Sequence, residues 1–342
     1  MADQSATHQI LGETLPAAVG SYVVERLLSG GPSYADYQAQ HRSLGHGVLF
    51  RHERWPSQHA THDALDGLRR ARRLQAEIQH PHILPVIDFF DRDGEWFTVF
   101  ARVPAARSLD QIVTSIRNGE RPPCSLSEFV ALSAGVTDGL AAIHRAGFVH
   151  RTLGIHNVLV DARGHVFLSD LGCATPIGAD DPAARAFRSV MRPASAAPEQ
   201  FTLSESFSTA IDNWALGVTL FELRYGRHPF WLEPPATLEA IAASILMNPI
   251  GFPAAPLDGA EGLLQPWLAR LLERVPEKRY ADALEAQRDL HAISAEMEGR
   301  PPVARAFVAI PFSEAFSGLW RAIWSACVAC RVAATRVDQS HV

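Results

Sequence analysis

The chain has 342 residues, 47% of them hydrophobic, which is enough for one large domain or two ordinary ones. Its formal net charge of −6 argues against a nucleic-acid-binding protein, and its four scattered cysteines are too few for a disulfide framework. The sequence has no apolar signal segment and no run of the ~20 apolar residues that span a membrane, so we expect a cytoplasmic protein that binds no membrane.

The first third of the chain has strand patterns, which follow a polar tail at residues 1–20. Apolar and β-branched residues predict five strands, with the sequences SYVVERLLS, YADYQAQH, HGVLFRHER, ILPVIDFFD and EWFTVFAR. A turn is predicted at Gly30-Gly31-Pro32, between the first two strands. Residues 62–79 have the composition of a helix, and the proline that follows in His80-Pro81-His82 ends it.

After Pro104 the pattern changes to helices. A cap at Ser125 or Ser127 opens a helix that Gly147 ends, and further helices fill residues 210–296. A proline-containing linker then precedes a strand-helix-strand pattern. The predicted fold class is therefore α+β, with a strand-rich first lobe and a helical second lobe.

A series of motifs follows in the helical lobe at defined distances. They are His150-Arg151 with Asn157, Asp170-Leu171-Gly172, Ala197-Pro198-Glu199, Asp212-Asn213-Trp214-Ala215-Leu216-Gly217, and Arg279. Their order and spacing resemble the signature set of the bacterial Ser/Thr (Hanks-type) protein kinases over residues 22–294. The resemblance implies a two-lobed kinase-like fold. It divides the chain into a flexible tail (1–20), an N-lobe (21–104), a C-lobe (105–296), a linker (297–304) and a β-α-β unit (305–342).

The resemblance also assigns roles to the motif residues. It implies an architectural role for His150, Arg151, Leu171, Gly172, Glu199, Asp212 and Arg279, with Arg279 pairing with Glu199. These positions all match the family pattern, apart from leucine in place of phenylalanine at Leu171. We therefore expect the kinase architecture to be retained.

The positions that would perform phosphoryl transfer depart from the family pattern. Thr152 stands at the position of the general base, and its hydroxyl does not accept a proton near neutral pH as a carboxylate does. Losing a positioned base typically costs about 10²- to 10⁴-fold in rate. Gly154 replaces the lysine of the catalytic loop, Ala71 falls at the glutamate position of the first helix, and Arg192 replaces a threonine that contacts the catalytic loop.

The nucleotide-binding positions are altered as well. The resemblance places Gly31 in the glycine-rich loop, with Ser29 and Tyr34 at its other two glycine positions. Asp36 then lies where an apolar residue would cover the adenine. A carboxylate near phosphates and a tyrosine at the loop tip both disfavour nucleotide, and a plain β-hairpin is the alternative interpretation.

The same strands carry two further nucleotide positions. Arg51 takes the place of the lysine, and no other lysine is available because Lys278 is the only one in the chain. The guanidinium keeps the charge but is bulkier than an ammonium. Phe100 is expected at the back wall of the pocket.

Asn157 and Asp170 are the remaining candidates for metal binding. Their carbonyl and carboxylate oxygens suit Mg²⁺. The alternative is that Asn157 ties the loop backbone and Asp170 ends a strand. Both interpretations stay open, so ATP and Mg are expected at most as weakly bound cofactors.

Together these features favour a pseudokinase, which regulates or scaffolds by binding a partner protein or a fused C-terminal effector. A fold can be kept while its chemistry is not. The alternatives are an ATP-dependent Ser/Thr kinase with atypical catalytic residues, and a switch that binds nucleotide without transferring phosphate.

The C-terminal stretch AFVAIPFSEAFSGLWRAIWSACVACRVAATRVD predicts a strand-helix-strand unit. It resembles the first unit of TIR-like or nucleoside-deoxyribosyltransferase-like domains. A single such unit does not bury a core on its own. Either it begins a larger effector domain, or it packs against the helical lobe.

Overall fold

The computed structural model describes most of the chain. The described residues are 8–10, 13–15, 18–31, 34–53, 62–179, 193–201, 207–230, 237–253, 260–297, 304–309, 319, 323 and 332–337. The expected departure at Arg192 lies outside them.

The strand-rich half is a six-stranded antiparallel sheet in the order β3-β4-β5-β6-β8-β7. Its strands are β3 (Ala18–Val19), β4 (Tyr22–Gly31), β5 (Tyr34–His41), β6 (Gly47–Glu53), β7 (Val86–Arg92) and β8 (Glu95–Ala101). Tyr37, Phe50 and Phe97 are buried on one face and form an apolar cluster. β4 and β5 form the hairpin that the turn at Gly30-Gly31-Pro32 predicts.

Three short strands lie among the described residues of the first twenty. The antiparallel strands β1 (His8–Ile10) and β2 (Glu13–Leu15) pair with each other, and β3 joins the edge of the main sheet through β4. Val19 is only 1% exposed in the sheet cluster, and its burial stabilises β3 at this edge. The flexible tail expected for residues 1–20 stays a prediction, because residues 1–7, 11–12 and 16–17 lie outside the described residues.

Helix α1 (His62–Glu77) lies between β6 and β7 in the chain, two residues shorter than predicted. Its residues Leu68, Ala71 and Leu74 are buried. The strand predicted from Ile83 begins later, at β7. The reason is that Leu84 donates its backbone N–H to Leu168 of the helical half, 2.8 Å away, instead of joining the sheet.

The helical half contains six α-helices among the described residues. They are α2 (Leu109–Arg117), α3 (Leu126–Arg145), α4 (Thr209–Tyr225), α5 (Leu238–Met247), α6 (Ala260–Leu271) and α7 (Ala283–Met297). One short strand precedes α2, namely β9 (Arg107–Ser108), and others lie between α3 and α4: β10 (Phe148–Val149), β11 (Val158–Val160), β12 (Val166–Leu168) and β13 (Thr175–Pro176). The strand-rich half thus precedes the helical half, which confirms the predicted α+β class.

Helix α3 has the ends that the sequence predicts. The side chain of Ser125 accepts a hydrogen bond from the N–H of Glu128 at 3.1 Å, and Gly147 follows the helix with a φ of 83°. By length and composition α3 could cross a membrane, but 67% of its most apolar window is buried inside the structure. Such burial is typical of a core helix.

Helix α4 runs through the centre of the helical half, and Gly217 allows a neighbouring helix to approach it. A Cβ at Gly217 would lie 2.9 Å from the Cβ of Leu271 and 2.9 Å from Cγ of Leu272. Both leucines are buried, so neither side chain swings out of the way.

We expect Gly217→Ala to lower the free energy of unfolding by about 1–3 kcal/mol, because it overpacks this contact. Alanine's intrinsic helix preference, worth about 1 kcal/mol, works in the opposite direction. Urea unfolding followed by circular dichroism measures the difference. An unchanged or higher free energy of unfolding would show that α4 and α6 move apart easily to make room for the added methyl group.

At the C-terminal end, β14 (Ala304–Ala309) and β15 (Val332–Val337) pair in parallel over six residues. A parallel pair requires a crossover connection, which agrees with the strand-helix-strand pattern. The predicted helix lies almost entirely outside the described residues.

Candidate functional site

The loop after β10 is held by a buried carboxylate. Asp212 of α4 is fully buried and accepts hydrogen bonds from the backbone N–H groups of His150, at 2.6 Å, and Arg151, at 2.7 Å. Its Oδ2 also lies 3.0 Å from Nε2 of His144 on α3. Arg151 has a φ of 70°, which is uncommon for a residue with a side chain. Asp212 therefore fixes an unusual backbone conformation.

The surroundings of Asp212 and His150 determine the protonation states of both side chains. Burial alone would raise the pKa of Asp212, but the hydrogen bond and charge of His144, with the N–H of His150, lower it overall. Burial lowers the pKa of His150, although the charges of Asp212 and Asp170 oppose this. At neutral pH an ionised Asp212 therefore holds a neutral His150.

Thr152 lies in the middle of this loop, where the resemblance implies a base. Its Oγ1 lies 3.4 Å from Nδ1 of His150 and 3.5 Å from the backbone carbonyl of Asp170, distances too long for strong hydrogen bonds. Gly154, two residues later, contributes no side chain. The loop therefore has the shape of a catalytic loop but places a hydroxyl at its centre.

Asn157 ties this loop together. Its Oδ1 accepts a hydrogen bond from the N–H of Gly154 at 2.9 Å, and its Nδ2 donates to the carbonyl of Thr152 at 2.7 Å. Asn157 is only 5% exposed. Both ends of its amide thus act on the loop backbone, the role that the alternative interpretation gave it.

Asp170 follows β12 in a left-handed conformation, with a φ of 64°. Its Oδ1 accepts a hydrogen bond from Nη1 of Arg51 at 2.7 Å, and Nη2 of Arg72 lies 3.8 Å away. Leu171, the next residue, is fully buried in the main apolar core. The carboxylate that was considered for metal binding therefore faces two guanidinium groups.

Arg51 is also bound by the neighbouring strand. The register of β5 and β6 places Asp36 directly opposite it, and the pair is bidentate, with Nε–Oδ1 at 2.7 Å and Nη2–Oδ2 at 2.9 Å. The ring of Tyr34 covers the guanidinium, with its centroid 4.2 Å from Cζ. Tyr34 itself pairs with Gly31 across the hairpin.

The pKa of Arg51 reflects this environment. Burial alone would lower the pKa, but the charges of Asp36 and Asp170 raise it well above its ordinary value. On α1 no acidic partner was expected for Arg51, because Ala71 falls at the glutamate position. The structure supplies one from β5 and another from the loop after β12.

A second buried arginine joins α1 to the sheet, and the sequence analysis missed it. Nη2 of Arg72 lies 2.6 Å from Oε1 of Glu53, Nε donates to Oγ1 of Thr98 at 3.1 Å, and Nη1 donates to Gln75 at 3.0 Å. Thr98 donates its own hydroxyl to Glu53 at 2.5 Å. Here the cation lies on the helix and the carboxylate on the strand, opposite to the arrangement that the resemblance implies.

A sequence signal for this network exists. Arg51 and Glu53 are two residues apart in one strand, so both side chains lie on the same face of the sheet. Two opposite charges on one face of an otherwise apolar strand indicate buried partners, because buried charges are stable only when they are paired.

The remaining predicted positions surround the network. Ala71 is fully buried in the main apolar core. Phe100 is also fully buried, with its ring centroid 5.6 Å from Cζ of Arg51 and 5.2 Å from Cζ of Arg72. A Cβ at Gly172 would lie 3.3 Å from Nη2 of Arg72, so this glycine lets the loop approach α1.

A separate buried ion pair lies at the base of the helical half. Arg279 binds Glu199 through two parallel bonds, Nη1–Oε1 at 2.7 Å and Nη2–Oε2 at 2.8 Å. Its guanidinium also donates to the carbonyls of Ala210, Glu273 and Arg274. The pair that the motifs predict is therefore formed, with additional backbone partners.

A family model for the protein kinase domain matches residues 41–289, most of the chain. The chain belongs to the protein kinase family. The motifs from His150 to Arg279 all fall within the matched residues, so the kinase frame described above is the frame of this family.

Several curated kinases are similar to the chain. Hormonally up-regulated neu tumor-associated kinase of Homo sapiens is 31% identical over 218 residues, which is 62% of this chain and 28% of that protein. Homolog A of Xenopus laevis is 28% identical over 268 residues, 76% of this chain and 36% of that protein. Serine/threonine-protein kinase PknH of Mycobacterium bovis is 28% identical over 266 residues, 77% of this chain and 42% of that protein. The chain spans less than half the length of these kinases.

A protein kinase ordinarily holds a nucleotide with Mg²⁺ between its lobes, and the cleft residues described here do not fit that complex. The donors of Arg51 point at Asp36 and Asp170 rather than toward a phosphate. Asp36 adds a negative charge where the phosphates would approach. Asp170 is already paired with Arg51 at Oδ1, and Arg72 adds a second positive charge near the same oxygen.

Proposed function

We propose that the chain is a pseudokinase, a kinase-family module that regulates or scaffolds by binding a partner protein. The observation that carries this proposal is Thr152 at the centre of an otherwise assembled catalytic loop. The hydroxyl has no carboxylate hydrogen-bonded to it among the described residues, and the buried imidazole beside it lies 3.4 Å away. A substrate hydroxyl in this loop would meet no carboxylate at the position of the general base.

The proposal is supported by what the architecture retains. Asp212 holds the loop backbone, and Arg279 binds Glu199 below it. Both interactions stabilise the helical half without taking part in transfer. A module that acts through its surface needs this framework and does not need the chemistry.

The alternative is an ATP-dependent Ser/Thr kinase with atypical residues, or a switch that binds nucleotide without transferring phosphate. It is favoured by Asn157 and Asp170, which keep oxygens suited to Mg²⁺. Both residues are engaged with other protein groups, and for this reason we prefer the pseudokinase.

We propose further that β14 and β15 belong to a C-terminal effector unit, which the kinase-like part regulates. The support is their parallel pairing, which matches the resemblance to TIR-like and nucleoside-deoxyribosyltransferase-like domains. Protease protection of residues 305–338 in the purified chain tests whether the unit is folded. Cleavage throughout this segment would contradict the proposal.

If the chain is a pseudokinase, the purified protein shows no phosphate transfer that depends on Asp170. The assay uses ATP labelled at the γ-phosphate with Mg²⁺ or Mn²⁺, and follows both the chain itself and generic Ser/Thr substrates. We expect wild-type chain and Asp170→Asn to give the same background signal. Transfer by the wild-type chain that Asp170→Asn abolishes would establish an active kinase and overturn the proposal.

A further inference from the structure

We propose that Arg51 is an internal substitute for the metal-bound nucleotide, and that it holds the two lobes together without any ligand. This inference rests on the proposed pseudokinase function and gives its cleft a role. The cleft would then connect the two lobes structurally whether or not a ligand is present.

The ion pair of Arg51 with Asp170 joins two residues that are far apart in the chain. Arg51 lies on β6 of the sheet, and Asp170 lies 119 residues later, in the helical half. Their 2.7 Å hydrogen bond therefore crosses between the lobes. Arg72 of α1 adds a second positive charge 3.8 Å from the same carboxylate oxygen.

All three guanidinium nitrogens of both arginines are engaged. Nε and both terminal nitrogens of Arg51 bond to carboxylate oxygens of Asp36 and Asp170. The three corresponding nitrogens of Arg72 bond to Thr98, Gln75 and Glu53. The side chains of Arg51 and Arg72 are only 6% and 1% exposed. Buried charges are expected to be paired in this way, and both guanidinium groups have carboxylate partners within the protein.

A cation or a phosphate would meet charges of its own sign in this cleft. A divalent cation at Asp170 would share the carboxylate with the Nη1–H of Arg51 at Oδ1 and would lie beside two guanidinium groups. A phosphate that reached Arg51 would lie next to the carboxylate of Asp36, which holds the guanidinium in a bidentate pair. Both ligands would therefore bind against electrostatic repulsion from side chains that are already paired.

The proposal also explains the position of α1. In an active kinase of this family the resemblance implies that a strand cation and a helix carboxylate orient the helix. Here Arg72 and Glu53 make the same connection with the charges exchanged, and Arg51 is left to face Asp170. The two ion pairs together fix α1, the sheet and the loop after β12 relative to one another.

The test combines hydrogen exchange with nucleotide titration on the full chain. Arg51→Met removes the inter-lobe cation, Asp170→Asn removes the charge but keeps an acceptor, and Arg69→Met is the matched control. Arg69 lies on α1, one of the two segments that are followed, and forms an exposed pair with Asp66 at 3.0 Å. Amide exchange is followed in α1 and in the segment 168–173, and Mg-ATP binding is measured by calorimetry and thermal shift.

We expect no heat and no thermal shift from the wild-type chain with millimolar Mg-ATP. Exchange in α1 and in segment 168–173 should rise roughly tenfold in Arg51→Met, because a buried charge-assisted hydrogen bond of about 1.4 kcal/mol corresponds to that factor. Asp170→Asn should raise it by a smaller factor, and Arg69→Met should leave it within about twofold.

Two results would overturn the inference. One is Mg-ATP binding to the wild-type chain itself, which needs no variant and leaves the pseudokinase standing if phosphate transfer is absent. The other is unchanged exchange of segment 168–173 in Arg51→Met. Phosphate transfer in the separate assay would overturn the proposed function itself.

Discussion

Replacing Arg279 by methionine is expected to cost about 3–5 kcal/mol of unfolding free energy, because it removes a buried guanidinium that binds Glu199 and three backbone carbonyls. Arg279 is 3% exposed and bonds to both oxygens of Glu199. Its Cζ also lies 5.0 Å from the centroid of the Trp214 ring, so the guanidinium makes a cation–π contact as well. Urea unfolding followed by tryptophan fluorescence measures the loss.

The control for this variant is Arg270→Met. Arg270 makes a comparable contact with Glu285 at 2.8 Å, but its side chain is 40% exposed. Partly exposed pairs contribute about 0–1 kcal/mol, so this variant should remain close to the wild type. Equal losses in the two variants would show that burial of the Glu199–Arg279 pair is not what stabilises the helical half.

The second large effect is a loss of stability in mild acid that depends on His228. Nε2 of His228 lies 2.8 Å from the carbonyl of Ala194, and Nδ1 accepts the N–H of Phe230 at 3.2 Å. The neutral ring satisfies both contacts, whereas a protonated Nδ1 would oppose the N–H of Phe230. Burial lowers the pKa of His228 to about 4.

The sign of the effect follows from the two pKa values. In the unfolded chain histidine titrates near 6.5, so between pH 6.5 and 4 the unfolded state binds more protons than the folded state. The contribution of His228 is therefore complete above pH 6.5 and is lost as the pH falls toward 4. A difference of this size corresponds to roughly 3 kcal/mol at most.

We expect His228→Gln to flatten the dependence of unfolding free energy on pH in this window, while losing about 1–2 kcal/mol at pH 7 through the altered hydrogen bonds. Some slope should remain, because burial also lowers the pKa of His150. His156→Gln is the control for removing a partly exposed imidazole. An unchanged slope in His228→Gln would place the acid sensitivity elsewhere.

Much of the framework was predictable because local signals and motif spacing act together. The Ser125 cap and Gly147 set the ends of α3, and the pair of Glu199 with Arg279 followed from the kinase motifs. The start of β7 was less predictable, because the chain before it bonds to Leu168 of the other lobe. No local pattern contains that partner.

The ion network of the cleft shows a second limit of prediction. Counting along α1 placed Ala71 at the glutamate position, but successive helix residues differ by about 100° in direction, so the count does not show that Arg72 also reaches the sheet. The resemblance placed Asp36 where an apolar residue would cover the adenine, and the strand register shows that Asp36 also lies opposite Arg51. The partners of Arg72 and Asp36 thus depend on which residues of neighbouring elements lie opposite them, and the local sequence does not contain this information.

The same network makes the cleft difficult to convert back into a kinase site one residue at a time. Changing Arg51 alone to a residue that fits a nucleotide would remove the bidentate partner of Asp36, which is 7% exposed. Changing Asp36 alone would leave Arg51 with only the contact to Asp170 among these two carboxylates. Each single step therefore weakens a buried ion network, which is destabilising. A change to a catalytic sequence would therefore require several of these charges to change together, because the variants with only one change are less stable.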